Sequence, residues 1–413
     1  MQYRNGINKM KKIMILGGGP NQIGLLNSAK QCGYATILCD KNANCLGRDL
    51  ADIFYGVDII DVDEVLNVAQ QEEIDGIISN SEVVMEVVAE VSSKLGLVGN
   101  SKNSIATLNS KQGFRDFQKE NGIFTPKHIT VSSDYILEEV LSGFNYPVIV
   151  KPVKCSGTRG TTRFDYYSEE DMKAAIDSCI NFSRNNMCAI EEYIEMPSLT
   201  VLEGDVFVNG GEIFWGGVFF TRRSETLPMV PMTYMSPYTD SNEHFAEIKS
   251  VLKKTFECLP IKHGQYNVEA YFDAKDNFFI IEINARQGGH GLPAYVKRAT
   301  GVDMDKLLVT TAVGDNQYFD EVLTPPVRQK YATRHAVFGD QDGVLEEIYI
   351  DESIKKYVVE IEYDKKIGEC VEKWVNGSSV IGFVNLVFEN YEMQHLISEN
   401  IEKYIYPIIN VGD

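Results

Sequence analysis

Between Lys12 and Leu97 short apolar runs alternate with amphipathic stretches: KIMIL, a helix through Leu26 and Ala29, ATILC, IFYGV, DEVLNVAQQEE, DGIIS and EVVMEVVAEVSSKL. Parallel strands joined by crossover helices bury every apolar run of such a pattern, so the chain opens with an α/β unit. Further on the pattern changes. SLTVLEGDVFV and EIFWGGVFF flank Asn209-Gly210-Gly211, a turn suited to positive φ, and QYNVEAYF and FFIIEIN flank a second turn at Asp273 to Asn277. Antiparallel hairpins therefore follow the parallel region, and the fold class is α/β joined to α+β. With 413 residues several compact units are expected. The punctuation divides them as 1–101, 102–195, 196–320 and 321–413, the last a strand-rich region behind Pro325-Pro326.

Composition narrows the partners. Lys and Arg number 39 against 59 Asp and Glu, a net charge of −20, which disfavours a nucleic-acid backbone as partner. None of the 8 Cys falls in a C-x-x-C pair, so no zinc site or disulfide framework is expected. The amino-terminal apolar run is too short for a secretory signal, and no stretch approaches the roughly 20 apolar residues of a membrane span. The expectation is a cytoplasmic protein with no membrane partner. Met10, ahead of Lys11 and Lys12, offers an alternative first residue.

The sharpest chemical feature is the pair of segments Asn267-Val268-Glu269 and Ile281-Glu282-Ile283-Asn284. Strand side chains alternate faces, so Glu282 and Asn284 point the same way, and the hairpin can bring Glu269 beside them. Two carboxylates and an amide oxygen suit Mg²⁺, which keeps waters and is commonly shared with phosphates. The plainer alternative is a solvent-facing edge hairpin. Upstream, Lys151 ends the apolar run PVIVKP and is followed by Cys155-Ser156-Gly157-Thr158-Arg159-Gly160-Thr161. Such a loop can bring backbone N–H groups to a polyphosphate, or serve only as a surface connection. Glu191-Glu192-Tyr193-Ile194 reads as a strand whose backbone could hold a base edge.

Taken in order, Lys111, Lys151 with its loop, Glu191 to Ile194, Glu269 and Glu282-Ile283-Asn284-Ala285-Arg286 resemble the ATP-grasp superfamily over residues 12 to 400. The likeness is to carboxylate-amine ligases, including L-amino-acid ligases, phosphoribosylamine-glycine ligases and carbamoyl-phosphate synthetase-like proteins. The resemblance implies an N-terminal pre-ATP-grasp domain, a small lobe, a large lobe and a β-rich C-terminal region. It implies ATP as cofactor with Mg²⁺, or Mn²⁺ in its place. Lys111, Lys151, Ser156, Gly157, Thr158 and Gly160 would contact phosphates, and the segment Glu191, Glu192, Tyr193 and Ile194 would hold adenine. Glu269, Glu282 and Asn284 would bind the metal, and Arg286, with Lys151, would serve the chemistry. Two departures stand out: Leu199 occupies the expected ribose position, leaving Glu203 as a substitute, and Thr221-Arg222-Arg223 stands where relatives carry a Lys.

The Arg222 and Arg223 pair suits bidentate carboxylate recognition. Arg286 and the loop Gly288, Gly289 and His290 offer further substrate donors, although a lone His is more often structural. Gly17-Gly18-Gly19-Pro20-Asn21-Gln22-Ile23-Gly24 has Gln22 where a dinucleotide fingerprint needs its third glycine, so it reads as a tight strand-to-helix turn whose N-terminus could hold an anionic part of the acceptor.

The expected activity is ATP-dependent joining of a carboxylate and an amine through an acyl phosphate, with ADP and phosphate released and amino acids among the candidate substrates. Rivals are a nicotinamide-dependent oxidoreductase and a catalytically inactive nucleotide-binding regulatory protein. The partners are small carboxylate and amine molecules, and the resemblance admits a homodimer.

Overall fold

The structure, a computed structural model, describes residues 10–153, 160–225, 230–239, 241–289, 291–324, 328–375 and 377–411. The first unit contains strands β1 (Lys12–Leu16), β2 (Ala35–Cys39), β3 (Ile53–Tyr55) and β4 (Gly76–Ile78) with helices α1 (Ile23–Gln31), α2 (Val62–Glu72) and α3 (Met85–Leu95). The strands form a parallel sheet in the order β3-β2-β1-β4. β1 is buried along nearly its whole length because helices cover both sheet faces, which is why KIMIL lacks alternation.

Helices α4 (Lys102–Leu108) and α5 (Lys111–Glu120) lead into the small lobe. There β5 (His128–Val131), β6 (Val148–Pro152), β7 (Thr162–Phe164) and β8 (Cys188–Glu192) form an antiparallel sheet in the order β5-β8-β6-β7. It packs on α6 (Leu137–Val140) and α7 (Glu169–Phe182) through a core that includes Val148, Val150, Met172 and Ile176.

The large sheet follows. Its first strands are β9 (Thr200–Asn209), β10 (Glu212–Arg223), β11 (Pro231–Ser236), β12 (His263–Phe272) and β13 (Phe278–Asn284). The C-terminal region adds β14 (Tyr331–Phe338), β15 (Gly343–Ile350), β16 (Val358–Tyr363), β17 (Cys370–Val371), β18 (Val380–Phe388) and β19 (Ile405–Asn410). Eight strands run continuously as β13-β12-β9-β10-β11-β14-β18-β16, and β17-β15-β19 form a small separate sheet. The C-terminal strands thus extend the sheet that carries the site.

Each face of the large sheet has its own cover. Leu202, Val206, Val268 and Ile283 face α8 (Asn242–Cys258) together with Ile105 of α4 and Phe114 of α5. On the other face Phe207 and Phe219 share one core with α9 (Leu292–Thr300), α10 (Met304–Ala312) and the N-terminal unit's Ile13, Ile15 and Leu25. No described helix is long and apolar enough to cross a membrane.

The N-terminal unit is seated closely on α10. A Cβ at Gly76 would lie 2.6 Å from the Ala312 carbonyl oxygen and 2.9 Å from its carbon. Gly76→Ala is therefore expected to push β4 off α10 and destabilise the protein by about 1–3 kcal/mol, seen as a lower thermal midpoint. An unchanged midpoint would mean that this contact does not seat the unit.

Candidate active site between the small lobe and the large sheet

The register of β9, β12 and β13 builds two polar rows on the face shared with α9 and α10. Glu269 stands opposite both Glu203 and Glu282, and Asn267 stands opposite both Asp205 and Asn284. The intervening Gly204, Val268 and Ile283 turn to the other face, as period-two alternation requires. The sequence expectation that Glu269, Glu282 and Asn284 converge matches this register. Asn284 Nδ2 donates to Glu282 Oε1 at 2.8 Å, and Arg223 Nη2 donates to Glu269 Oε2 at 2.6 Å. Burial and the neighbouring Glu269 raise the Glu203 carboxyl to about 8, with Arg223 opposing them. Asp205 is fully enclosed and accepts from Gln265 Nε2 at 2.8 Å, Asn267 Nδ2 at 3.0 Å and the Gly288 N–H at 2.9 Å. It thereby anchors the loop that carries Arg286.

The opposing wall comes from the small lobe. Lys151, at the end of β6, donates from Nζ to Glu191 Oε2 of β8 at 2.6 Å, and Arg115 Nε of α5 lies 3.2 Å from Glu191 Oε1. Arg115 also donates from Nη1 to the Ile280 carbonyl at 3.1 Å and from Nη2 to the Ile281 carbonyl at 2.8 Å. One guanidinium therefore joins the small lobe to the strand that presents Glu282. Burial pushes Lys151 down to about 8, with Glu191 opposing the shift; burial works against ionised Glu191, yet Arg115 and Lys151 hold its carboxyl down to about 2. Glu282 is also kept below the usual carboxylate range: burial raises it, but Lys111, Asn284, Arg286 and Lys151 outweigh that.

Not every expected residue serves the same space. Glu192 turns its carboxylate to the Asn145 backbone N–H at 2.8 Å, and Tyr193 lies under Arg163 with its own N–H on the Pro147 carbonyl. Ile194 sits at the junction of the lobes, its carbonyl held by Tyr271 Oη of β12. Gly160, at φ 72°, packs on Pro152 and Phe182. Ser156, Gly157, Thr158 and His290 lie outside the described residues.

Three expected substrate contacts have partners within the chain. Arg222 does not join Arg223: it sits on the opposite face and pairs with Glu402, because adjacent strand residues point to opposite sides. Arg223 is held by Glu269. The Gly288 N–H, expected to serve an anion, is taken by Asp205, while Gly289 borders open space.

At the N-terminal turn, Asp40 accepts from the Gly18 and Asn42 N–H groups at 2.6 and 2.7 Å, and Gly47 packs on Gly18 with its N–H on the Gly18 carbonyl. A Cβ at Gly18 would lie 2.4 Å from Cys45 Sγ. Both Asp40 oxygens thus close the turn.

Sequence reasoning missed Arg115, Asp205, Gln265 and Arg334. Arg334 is 1% exposed, is gripped by Glu362 at 2.6 and 2.9 Å, and follows Tyr234 along the same sheet face. Pairing of Arg115 with β13 has no local signal in the sequence.

Glu191→Gln is expected to lower stability at pH 7 by about 3–5 kcal/mol, because it strands two buried cations. Since folding moves this carboxyl from 4.5 to about 2, its contribution is full above pH 4.5 and fades as pH falls toward 2. Urea midpoints measured across that window should converge for wild type and variant; a constant gap would contradict the pairing.

With this geometry in view, residues 117–311 match the family model "D-ala D-ala ligase C-terminus". The carbamoyl phosphate synthase large chain of Clostridium acetobutylicum is 24% identical over 84% of this chain, which spans only 33% of that protein. Two solved structures share the fold: phosphoribosylglycinamide synthetase from Anaerococcus prevotii (TM-score 0.71, 23% identity, 97% of this chain and 100% of that one) and L-amino acid ligase from Bacillus licheniformis (TM-score 0.78, 18% identity, 97% and 99%). The parallel N-terminal sheet, the small antiparallel lobe and the large sheet with its carboxylate rows are the parts of one known architecture, and the chain has the ATP-grasp fold.

Proposed function

We propose that the protein is an ATP-dependent carboxylate-amine ligase that forms an amide through an acyl phosphate, releasing ADP and phosphate. One observation carries the reading. Glu282 of the large sheet feels Lys111 and Lys151 from the nucleotide side and Arg286 from its own loop, so groups suited to a metal, a polyphosphate and a carboxylate border one space. The folds shared with an L-amino acid ligase and a phosphoribosylglycinamide synthetase support it, and make amino acids natural first candidates for the carboxylate.

The donor set fits Mg²⁺. Glu269 Oε1, the free edge of Glu282 and Asn284 Oδ1 are hard oxygens, and Glu282 is held ionised. Among the described residues no group of three or more His, Cys, Asp or Glu could hold a metal by itself. Such a site needs phosphate oxygens and water to complete it, as expected for Mg²⁺ shared with ATP. When bound, the ion would neutralise charge on the phosphates.

The chain's own residues do the rest. Lys111 and Lys151 hold phosphate oxygens, and the Lys151–Glu191–Arg115 group carries one cation more than it has anions, which favours an anion beside it. The Ile194 segment receives the base at the junction of the lobes. Arg286 steadies the carboxylate oxygen and the transferred phosphoryl group as they meet, and Asp205 fixes the loop from which it reaches.

With ATP, Mg²⁺ and hydroxylamine in place of the amine, a panel of carboxylates should yield a hydroxamate from at least one member. Arg286→Met should abolish that product while leaving ATP binding within about threefold, and Glu282→Gln should lower turnover by about a hundredfold or more at limiting Mg²⁺. Substrate-dependent ADP release with no hydroxamate from any carboxylate would point instead to a phosphotransferase, and no ADP release at all to a regulatory nucleotide-binding protein.

A further inference from the structure

One carboxylate of the N-terminal unit stands between two guanidinium groups, one from the small lobe and one from the loop after β13. Glu82 Oε1 accepts from Arg184 Nη2 at 3.3 Å, and Glu82 Oε2 lies 3.9 Å from Arg286 Nη2. Each of the three residues is fixed to a different part of the molecule. Glu82 opens a one-turn helix, Glu82–Val84, whose Val84 is fully buried in the N-terminal core. The Ser79 hydroxyl secures the approach to that turn, donating to the Leu16 carbonyl at 2.7 Å and accepting from the Ser81 N–H at 3.1 Å. Arg184 follows α7 in a turn closed by the Asn186 N–H on the Ser183 carbonyl, and the Val153 N–H on the Met187 carbonyl joins that turn to the end of β6, which carries Lys151. Arg286 lies just past β13 on the loop that Asp205 holds.

The two contacts differ in kind. At 3.3 Å Arg184 makes a hydrogen bond, whereas at 3.9 Å Arg286 is held by charge alone, its Nη1 donating instead to the Gln287 carbonyl at 2.8 Å. The side chains of Glu82, Arg184 and Arg286 are 15%, 43% and 22% exposed, so solvent screens both contacts and either can be exchanged. A terminal phosphate oxygen that hydrogen-bonds Arg286 directly outcompetes a carboxylate at 3.9 Å, and its charge repels Glu82 toward Arg184.

We propose that Glu82 is a positioning residue that holds Arg286 until the γ-phosphate reaches it and then passes to Arg184. The inference rests on the ligase reading, in which Arg286 meets the transferred phosphoryl group, and deepens it by making the N-terminal unit a regulator of that contact. Before the handover Glu82 steadies the Arg286 head and offsets its charge. After it Glu82 acts on Arg184 alone, so occupancy of Arg286 and the seating of the small lobe on the N-terminal unit are linked.

The dissociation constants of Mg·AMP-PNP and Mg·ADP, measured on the full chain by titration calorimetry, test the handover, because only the first carries a γ-phosphate. We expect Glu82→Gln to raise the preference for AMP-PNP over ADP by about two- to threefold, since the competitor for Arg286 is gone. Arg184→Gln should lower it by a similar factor, since Glu82 then holds Arg286 harder. Affinity for ADP should stay at the wild-type value in both, which also shows that both fold. The handover requires one further pattern: Arg184→Gln has no effect in the Glu82→Gln background, and Glu82→Gln has none in the Arg286→Met background. Shifts that simply add in the double variants would mark independent long-range charges and overturn the handover, as would an unchanged preference in Glu82→Gln. If Arg286→Met itself keeps the wild-type preference, the role of Arg286 in the ligase reading fails and the handover falls with it. Binding of neither nucleotide would overturn the ligase reading as a whole.

Discussion

The buried guanidinium of Arg115 decides the geometry on which the remainder of the site depends. It holds Glu191 of the small lobe and, through two carbonyls, the strand β13 that presents Glu282 and Asn284. Burying three charges is expensive, and the arrangement is tolerable only because Glu191 lies between two cations and the Arg115 head finds further acceptors. Removing Glu191 strands two buried cations, while removing either cation leaves a single pair and takes away the excess positive charge, so the three behave as one structural unit. Its excess positive charge faces the carboxylate rows of the large sheet, a division of sign that suits a polyphosphate lying between them.

The large sheet supplies the other half by simple alternation. Along β9, β12 and β13, one set of residues enters the apolar core beneath α8 while the other set forms the rows Glu203, Glu269, Glu282 and Asp205, Asn267, Asn284. Within the rows the groups do different work. Arg223 pairs with Glu269, burial and Glu269 push the Glu203 carboxyl up, and Asp205 holds the Gly288 loop. Glu282 and Asn284 lie at the edge nearest Lys111 and Lys151, with Glu269 Oε1 beside them.

Features carried by local periodicity were legible in the sequence. The parallel N-terminal sheet, the Asn209-Gly210-Gly211 hairpin, the helix over Asn242–Cys258 and the shared face of Glu282 and Asn284 all follow from spacing alone. Features that depend on a partner far along the chain were not. Arg115 lies 165 residues from Ile280, and on a helix as polar as α5 it reads as a solvated cation. The opposite fates of Arg222 and Arg223 follow from strand alternation, but their partners, Glu402 and Glu269, could come only from the tertiary fold. Gly288 looked like a free donor because nothing near it in sequence announces Asp205, 83 residues away.

The central claim is that Glu282 and its neighbours complete a metal site only when a nucleotide spans the two lobes. Mn²⁺ binding followed by electron paramagnetic resonance, with and without AMP-PNP, tests it most directly. The account predicts weak Mn²⁺ binding to the protein alone, binding at least about tenfold tighter with AMP-PNP present, and loss of that gain in Glu282→Gln. Mn²⁺ binding that is equally tight without nucleotide, or unchanged by Glu282→Gln, would contradict it.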